Sequence, residues 1–172
     1  MLTNFNDQPG LGKALFDAGL PIINEWDGAL QQQVQRTDDD AAAQAIIDAW
    51  TLADSIAFVR AEILAHAKAL RDRVIANVSA GEMASWPIKL AEARSFASDG
   101  DGSKCPMLSA EAQARGITVA ALVAKVGGNA ATFSGLEAAI GGTDGKHRDA
   151  IAACTTFEEL LAYNWRTGWP EV

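Results

Sequence analysis

The chain lacks glycine and proline over a long central stretch. Between Gly28 and Gly81, 52 consecutive residues contain neither. Because these two residues interrupt helices most strongly, nothing in the stretch forces a helix to end. Within it, residues 41–78 are typical of one amphipathic helix, about 57 Å long at 1.5 Å per residue. A helix of that length has to pack against something, either in its own chain or in another.

Cysteine and histidine are scarce. The two cysteines, Cys105 and Cys154, lie far apart and outside any C-x-x-C pattern, which excludes a disulfide-rich scaffold. We expect two reduced, partly buried thiols, although two residues leave the question of pairing open. The two histidines, His66 and His147, have no histidine, cysteine or carboxylate partner at metal-ligand spacing. His66 is expected to be tolerated in the core, and His147 to be solvated at a helix start.

Positive charge is also in short supply. Lysine and arginine number 14 against 22 aspartate and glutamate residues, a net charge of −8, and residues 1–40 carry two basic and seven acidic groups. Without a basic patch, such a chain is repelled by phosphate backbones and anionic lipid, so we expect neither nucleic acid nor membrane as partner. No run approaches 18 uninterrupted apolar residues, and the first residues do not resemble a signal peptide. We therefore expect synthesis in the cytoplasm.

The predicted central helix carries an apolar seam near the a/d spacing of a coiled coil. Twelve of its 38 residues are alanine, which favours helix and permits close packing. The seam residues, which we assign as a protein interface, are Leu52, Ile56, Val59, Ile63, Leu70 and Val74. The seam can be covered by copies of itself or by helices of its own chain. Because the downstream elements are short, we favour an interface that is partly intermolecular.

No run of residues alternates convincingly with the period of a strand, so the predicted fold is all-α. Residues 1–40 predict short elements or an irregular arm that docks on another surface, either in this chain or in another subunit, since Pro9, Pro21 and several glycines interrupt any helical period. The run Asp38 to Asp40 predicts the start of the central helix. Residues 79–172 predict a small helical domain. Its expected helices cover residues 86–97, 109–115, 118–127, 130–140, 144–154 and 156–163, with a turn at Gly141 to Gly145. Ser79 and Glu82 have capping-box spacing, and Pro87 is expected in a first turn. The last helix is expected to be capped by Thr155 or Thr156 with Glu158 or Glu159.

Motifs that carry chemistry are missing. Gly12-Lys13 and Gly145-Lys146 lack the glycine spacing and the hydroxyl of a phosphate-binding loop. Asp99 and Asp101 alternate with glycine but lack the remaining ligands of a calcium loop. No G-x-S-x-G or comparable nucleophile motif is present. We therefore predict no catalytic, cofactor-binding or metal-ligating residues, and no cofactor.

Six short segments lie in order between about Val59 and Pro170, a region that covers roughly two-thirds of the chain. They are 84–94 (ASWPIKLAEAR), 106–108 (PML), 112–117 (AQARGI), 119–125 (VAALVAK), 145–149 (GKHRD) and 155–159 (TTFEE). Together they resemble proteins of tailed bacteriophages and prophages, a family that comprises tail, tail-fibre and tail-fibre-assembly proteins. Their order is fairly specific, whereas the first 40 residues match no family that we can name.

The resemblance implies a non-enzymatic structural component of a phage tail or fibre, acting through helix-mediated assembly and located in the virion tail. The expected partners are other tail or fibre proteins and further copies of the chain. Threefold symmetry is common in tail fibres and favours a trimer, although the mixed seam does not fix the strand number. Two alternatives stay open: an assembly chaperone that leaves before the virion matures, and a small hydrolase built around one of the histidines.

Overall fold

A computed structural model describes Leu2 and residues 8–27 and 32–172, with no side chains described for residues 24–36. It confirms the all-α prediction: the described residues form seven α-helices, with one short antiparallel hairpin beside them. The helices are α1 (Leu11–Asp17), α2 (Asp40–Ala49), α3 (Leu52–Val74), α4 (Ala80–Asp99), α5 (Pro106–Arg115), α6 (Val119–Ala152) and α7 (Phe157–Ala162). The hairpin pairs β1 (Ile23–Asp27) with β2 (Gln32–Arg36), with Ile23 opposite Arg36 and Asp27 opposite Gln32.

The chain divides into two compact units. The first unit combines Met1–Lys68 with Thr143–Trp169, and the second combines Ala69–Gly142 with Pro170–Val172. Helices α3 and α6 each contribute residues to both. This division differs from the predicted boundaries at residues 40 and 78, because the C-terminal segment packs with α3.

The prediction of a single central helix over residues 41–78 is wrong. The helix breaks at Trp50 and Thr51, and its two parts, α2 and α3, are bent by 87°. Thr51 and Asp54 cap α3 reciprocally: the amide and hydroxyl of Thr51 donate to Asp54 Oδ2 at 2.9 and 2.6 Å, and the Asp54 amide donates to Thr51 Oγ1 at 3.3 Å. Trp50 Nε1 also donates to the buried Ser55 hydroxyl at 2.8 Å. A capping box can thus begin a helix without glycine or proline.

The described part of the N-terminal segment forms short elements, one of the two forms that its turn-forming residues predicted. Leu11 and Leu15 of α1 are fully buried and pack with Ala43 and Ile47 of α2, so this segment docks on its own chain. The predicted helix start at the aspartate run is confirmed, since Asp39 accepts hydrogen bonds from the amides of residues 41 and 42. The part of the predicted arm at residues 1, 3–7 and 28–31 lies outside the described residues.

The predicted short helices between residues 118 and 154 are in fact one helix of 34 residues, α6. Gly127-Gly128 and the turn expected at Gly141 to Gly145 lie in its interior. None of these glycines has a positive φ angle, which is the conformation that ends helices at Gly100 and Gly116. Glycine in a helix costs about 1 kcal/mol relative to alanine but does not by itself stop the helix.

Helix α4 begins at Ala80, six residues before the predicted start. Its Ser79 cap is confirmed, because Ser79 Oγ accepts a hydrogen bond from the Glu82 amide. Proline at position 87 therefore lies inside the helix and not in its first turn. The core of the second unit joins Ala93 of α4 to Cys105, Leu108 and Ala112 around α5, and to Leu122 of α6.

Glu92 of α4 supplies the missing cap of α5. Its two carboxylate oxygens accept hydrogen bonds from the amides of Met107 and Leu108, at 3.2 and 2.8 Å. Cys105, at the N-cap position, offers no side-chain cap. The carboxylate also lies at the positive end of the helix dipole, which favours its charge. Glu92 therefore fixes the junction between α4 and α5.

Replacing Glu92 with alanine should lower the free energy of unfolding by about 2 kcal/mol, since two amides lose a charged acceptor. Urea denaturation followed by circular dichroism measures the change. Glu62→Ala, at an exposed position of α3, is the control and should stay within about 0.5 kcal/mol of the wild type. Equal stability of Glu92→Ala and this control would contradict a capping role.

Candidate interaction surfaces

The first four residues of the predicted interface face their own chain. Val59 and Ile63 are buried with Ile151 and Leu160, and Leu52 and Ile56 pack against the same cluster. Here the alternative of an intramolecular bundle applies, because the C-terminal segment covers the stripe. In the second unit, Leu70 is buried, and Val74 lines a cavity of about 200 Å³.

The last two tryptophans pack back on α3. Trp165 and Trp169 contact the cluster of Val59 and Ile63, and the ring of His66 meets their rings edge-on at 6.0 and 4.9 Å between centroids. The indole of Trp169 also donates to the carbonyl of Trp165 at 2.8 Å. These contacts account for two of the five tryptophans as half-buried residues that pack within their own chain.

His147 lies well within the length of α6 and its side chain is buried, so the prediction of a solvated residue at a helix start is wrong. Its Nε2 lies 3.0 Å from the carbonyl of Thr167 and its Nδ1 lies 2.7 Å from the hydroxyl of Tyr163. Because a carbonyl only accepts, Nε2 donates to Thr167, and in the neutral ring Nδ1 then accepts from Tyr163. Burial raises the pKa of Tyr163, and the charge of Cys154 raises it further. The histidine therefore holds the C-terminal segment in place.

Helix α6 presents a long outward face made only of alanine and glycine. Its seven positions follow one another at spacings of three and four, as on one side of a helix, and all are exposed. They are Ala120, Ala124, Gly127, Ala131, Gly135, Ala138 and Gly142. We call this the small-residue face. It runs about 33 Å along the helix and carries no charge. By length and apolar composition α6 could also cross a membrane, and 6% of its most apolar stretch is buried within the chain.

The three glycines of this face and the adjacent Gly128 have no structural reason within the described chain. A Cβ atom built on Gly127, Gly128, Gly135 or Gly142 meets nothing within 4 Å. None of the four has a positive φ angle. Each nevertheless weakens the helix by about 1 kcal/mol relative to alanine. These glycines are needed neither for the backbone conformation nor for packing within the chain. A close contact with a helix of another molecule would require them, because glycine lets two backbones approach each other.

A second exposed feature is a cleft of about 590 Å³ in the second unit. It is lined by residues of α4, α5 and α6 together with Val78. Trp86 and Phe133 stand edge-to-face in its wall, with ring centroids 5.6 Å apart. Met83, Leu90 and Val126 extend the apolar lining. A volume of this size lies within the range typical of small-molecule sites.

Three cations gather around one carboxylate at the rim of the cleft. Glu111 Oε2 lies 2.8 Å from Lys89 Nζ, and its Oε1 lies 3.0 Å from Arg115 Nη1. The hydrogen bond from Lys89 lowers the pKa of Glu111, and the charges of Arg115 and Lys125 act in the same direction. Within the described chain, Lys125 has no carboxylate at salt-bridge distance. The rim therefore holds more positive charge than Glu111 neutralises.

The two glycine-lysine motifs lie in different helices. Gly12 and Lys13 lie in α1, where Lys13 pairs with Asp17, and Gly145 and Lys146 lie in the interior of α6. In the part of the chain that the structure describes, no three histidine, cysteine, aspartate or glutamate side chains come together as a metal site. Both cysteines are free thiols, and burial together with the charge of Glu159 raises the pKa of Cys154.

No family model, no curated protein and no solved structure matches this chain.

Both exposed surfaces were missed from the sequence. The glycines of α6 were interpreted as helix ends, which hid the regular spacing of small residues from Ala120 to Gly142. That spacing was visible in the sequence as a run of outward positions without one large side chain. The cleft gave no local signal, because its lining comes from three helices distant in sequence.

Proposed function

We propose that this protein is a non-enzymatic structural component of a bacteriophage tail or tail fibre, and that it works through helix-mediated assembly. The phage-like segments between residues 84 and 159 supply the biological context. The observation that carries the assembly role is the small-residue face of α6. It replaces the α3 seam as the surface through which copies associate.

Physical reasoning supports this surface over the seam. Two helices that meet through alanine and glycine bring their backbones close, which gives extensive van der Waals contact without large side chains. Four glycines together cost the helix about 4 kcal/mol of intrinsic stability. A contact made only after assembly would offset that cost. The partners of the protein are then further copies of itself and neighbouring tail or fibre proteins.

The proposal predicts concentration-dependent self-association through the small-residue face. In sedimentation velocity between about 1 and 100 µM, wild-type protein should form a defined oligomer, and Ala131→Lys with Ala138→Lys should abolish it because each oligomer would bury four or more charges. The matched control is Ala110→Lys with Ala114→Lys, two exposed alanines one turn apart on α5. It changes the net charge equally and should still associate.

Three outcomes would contradict this proposal. A wild type that is monomeric at every concentration rejects self-association, and equal effects of the two double variants reject the small-residue face. Binding to neutral liposomes in a flotation assay would instead assign the apolar length of α6 to a bilayer. Under the proposal, the protein stays unbound.

The second candidate is a dissociable tail-fibre assembly chaperone. It is favoured by the apolar cleft around Trp86 and Phe133, which offers a surface for masking part of another protein. Mass spectrometry of purified phage particles separates the two roles. A structural component is present at fixed copy number in the mature particle, whereas a chaperone is absent from it but found in assembling lysates.

A further inference from the structure

We propose that the cleft of the second unit binds a small amphipathic anion: a molecule with an apolar body and one carboxylate or similar group. This proposal does not depend on self-association. The cleft is lined by Leu122, Val126 and Phe133 of α6, none of which belongs to the small-residue face.

The walls of the cleft determine the apolar part of the ligand. Trp86 and Phe133 supply two aromatic rings inclined at 70° to each other, and Met83 supplies an unbranched side chain that adapts to irregular shapes. Phe133 is 39% exposed, so part of this apolar lining is accessible to water. Burial of apolar surface at about 25 cal/mol per Å² then favours an aliphatic or aromatic body over a polar one.

The rim determines the sign of the polar group. The lining includes three cations, Lys89, Arg115 and Lys125, and two carboxylates, Glu82 and Glu111. Glu111 is already shared by two of the cations, and Glu82 lies in the first turn of α4, where the helix dipole favours its charge. The surplus is positive in a chain whose net charge is −8. Electrostatic complementarity therefore selects an anion here.

The Lys89 and Glu111 pair forms the rigid part of this rim. Their side chains are 18% and 27% exposed, so both are partly withdrawn from water. Lys125 is exposed and contributes charge from the α6 side. An anionic group placed between Arg115 and Lys125 would meet two cations without breaking the inner pair.

The test uses dodecanoate below its micelle concentration and full-length wild-type protein in isothermal titration calorimetry. The comparison compound is dodecyltrimethylammonium, with the same chain length and opposite charge. We expect one dodecanoate per chain, bound at least tenfold more tightly than the cation. Arg115→Gln with Lys125→Gln should weaken dodecanoate binding about tenfold, and Lys146→Gln, an exposed site on α6 outside the cleft, should leave it unchanged.

Phe133→Ser tests the apolar wall separately and should weaken both compounds, with folding verified by circular dichroism. Several results would overturn the proposal: no binding of dodecanoate, equal binding of the two charges, more than one site per chain, or the same loss of affinity in Lys146→Gln as in the double variant. None of these results bears on self-association, so the two proposals fail independently.

Discussion

Replacing Gly10 with alanine should lower the free energy of unfolding by about 3 kcal/mol and the Tm by roughly 9 °C. Gly10 has a φ angle of +86°, where an L side chain is strained. In addition, a Cβ atom at this position would lie 2.5 Å from Cγ of Phe58, well inside contact distance. Phe58 packs against the α3 core, so relief of the clash would disturb that core as well.

Alanine variants of Gly19 and Gly12 distinguish the strain of the positive φ angle from the clash with Phe58. Gly19 has a φ angle of +76° but an open surrounding, so Gly19→Ala carries strain alone and should cost about 1 kcal/mol. Gly12 lies in α1 without a positive φ angle or a close contact, and its replacement by alanine should be neutral or slightly stabilising. Thermal unfolding of all three variants should rank Gly10→Ala lowest. A loss no greater for Gly10 than for Gly19 would remove the contact with Phe58 from the explanation.

Replacing Gly127, Gly128, Gly135 and Gly142 together with alanine should stabilise the isolated chain by about 4 kcal/mol and raise its Tm by roughly 10 °C. The four substitutions reduce backbone entropy in the unfolded chain and meet no atom in the folded one. Scanning calorimetry at low protein concentration, where association is minimal, measures the effect. Few quadruple substitutions are expected to stabilise a natural protein this strongly.

The same variant tests why the glycines are present. If the small-residue face makes close helix contacts, the added methyl groups should weaken self-association while they stabilise the monomer. Gly100→Ala is the control: it has open space but a φ angle of +74°, and should cost about 1 kcal/mol without affecting association. A stabilised variant that still associates like the wild type would mean that the glycines are not needed for the contact.

The sequence contained enough information for the helical class and for several helix ends. Ser79, Asp39 and Thr156 each act as the cap that their position predicted, because capping depends on neighbours within one turn. The break at Trp50 also has a local cause, because Thr51 and Asp54 have capping-box spacing. The absence of glycine and proline between Gly28 and Gly81 therefore does not imply an unbroken helix. The full length of α6 was not predicted, because tertiary context overrode the weak helix propensity of its glycines.

Long-range packing could not be derived in this way. Periodicity identified the stripe of Val59 and Ile63 as apolar, but the same pattern results whether a neighbour or the end of the same chain covers it. The choice depended on Trp165, Trp169 and Tyr163, whose approach to α3 is set by the buried contacts of His147. The cleft depends likewise on the junction at Glu92, which fixes α4 against α5.

The docking of Trp165 and Trp169 makes the C-terminal segment a tethered competitor for α3. A tether keeps such a competitor at a local concentration in the millimolar range, far above that of most free proteins in a cell. A helix from another molecule could bind the apolar stripe of α3 only after it displaced the indoles of Trp165 and Trp169.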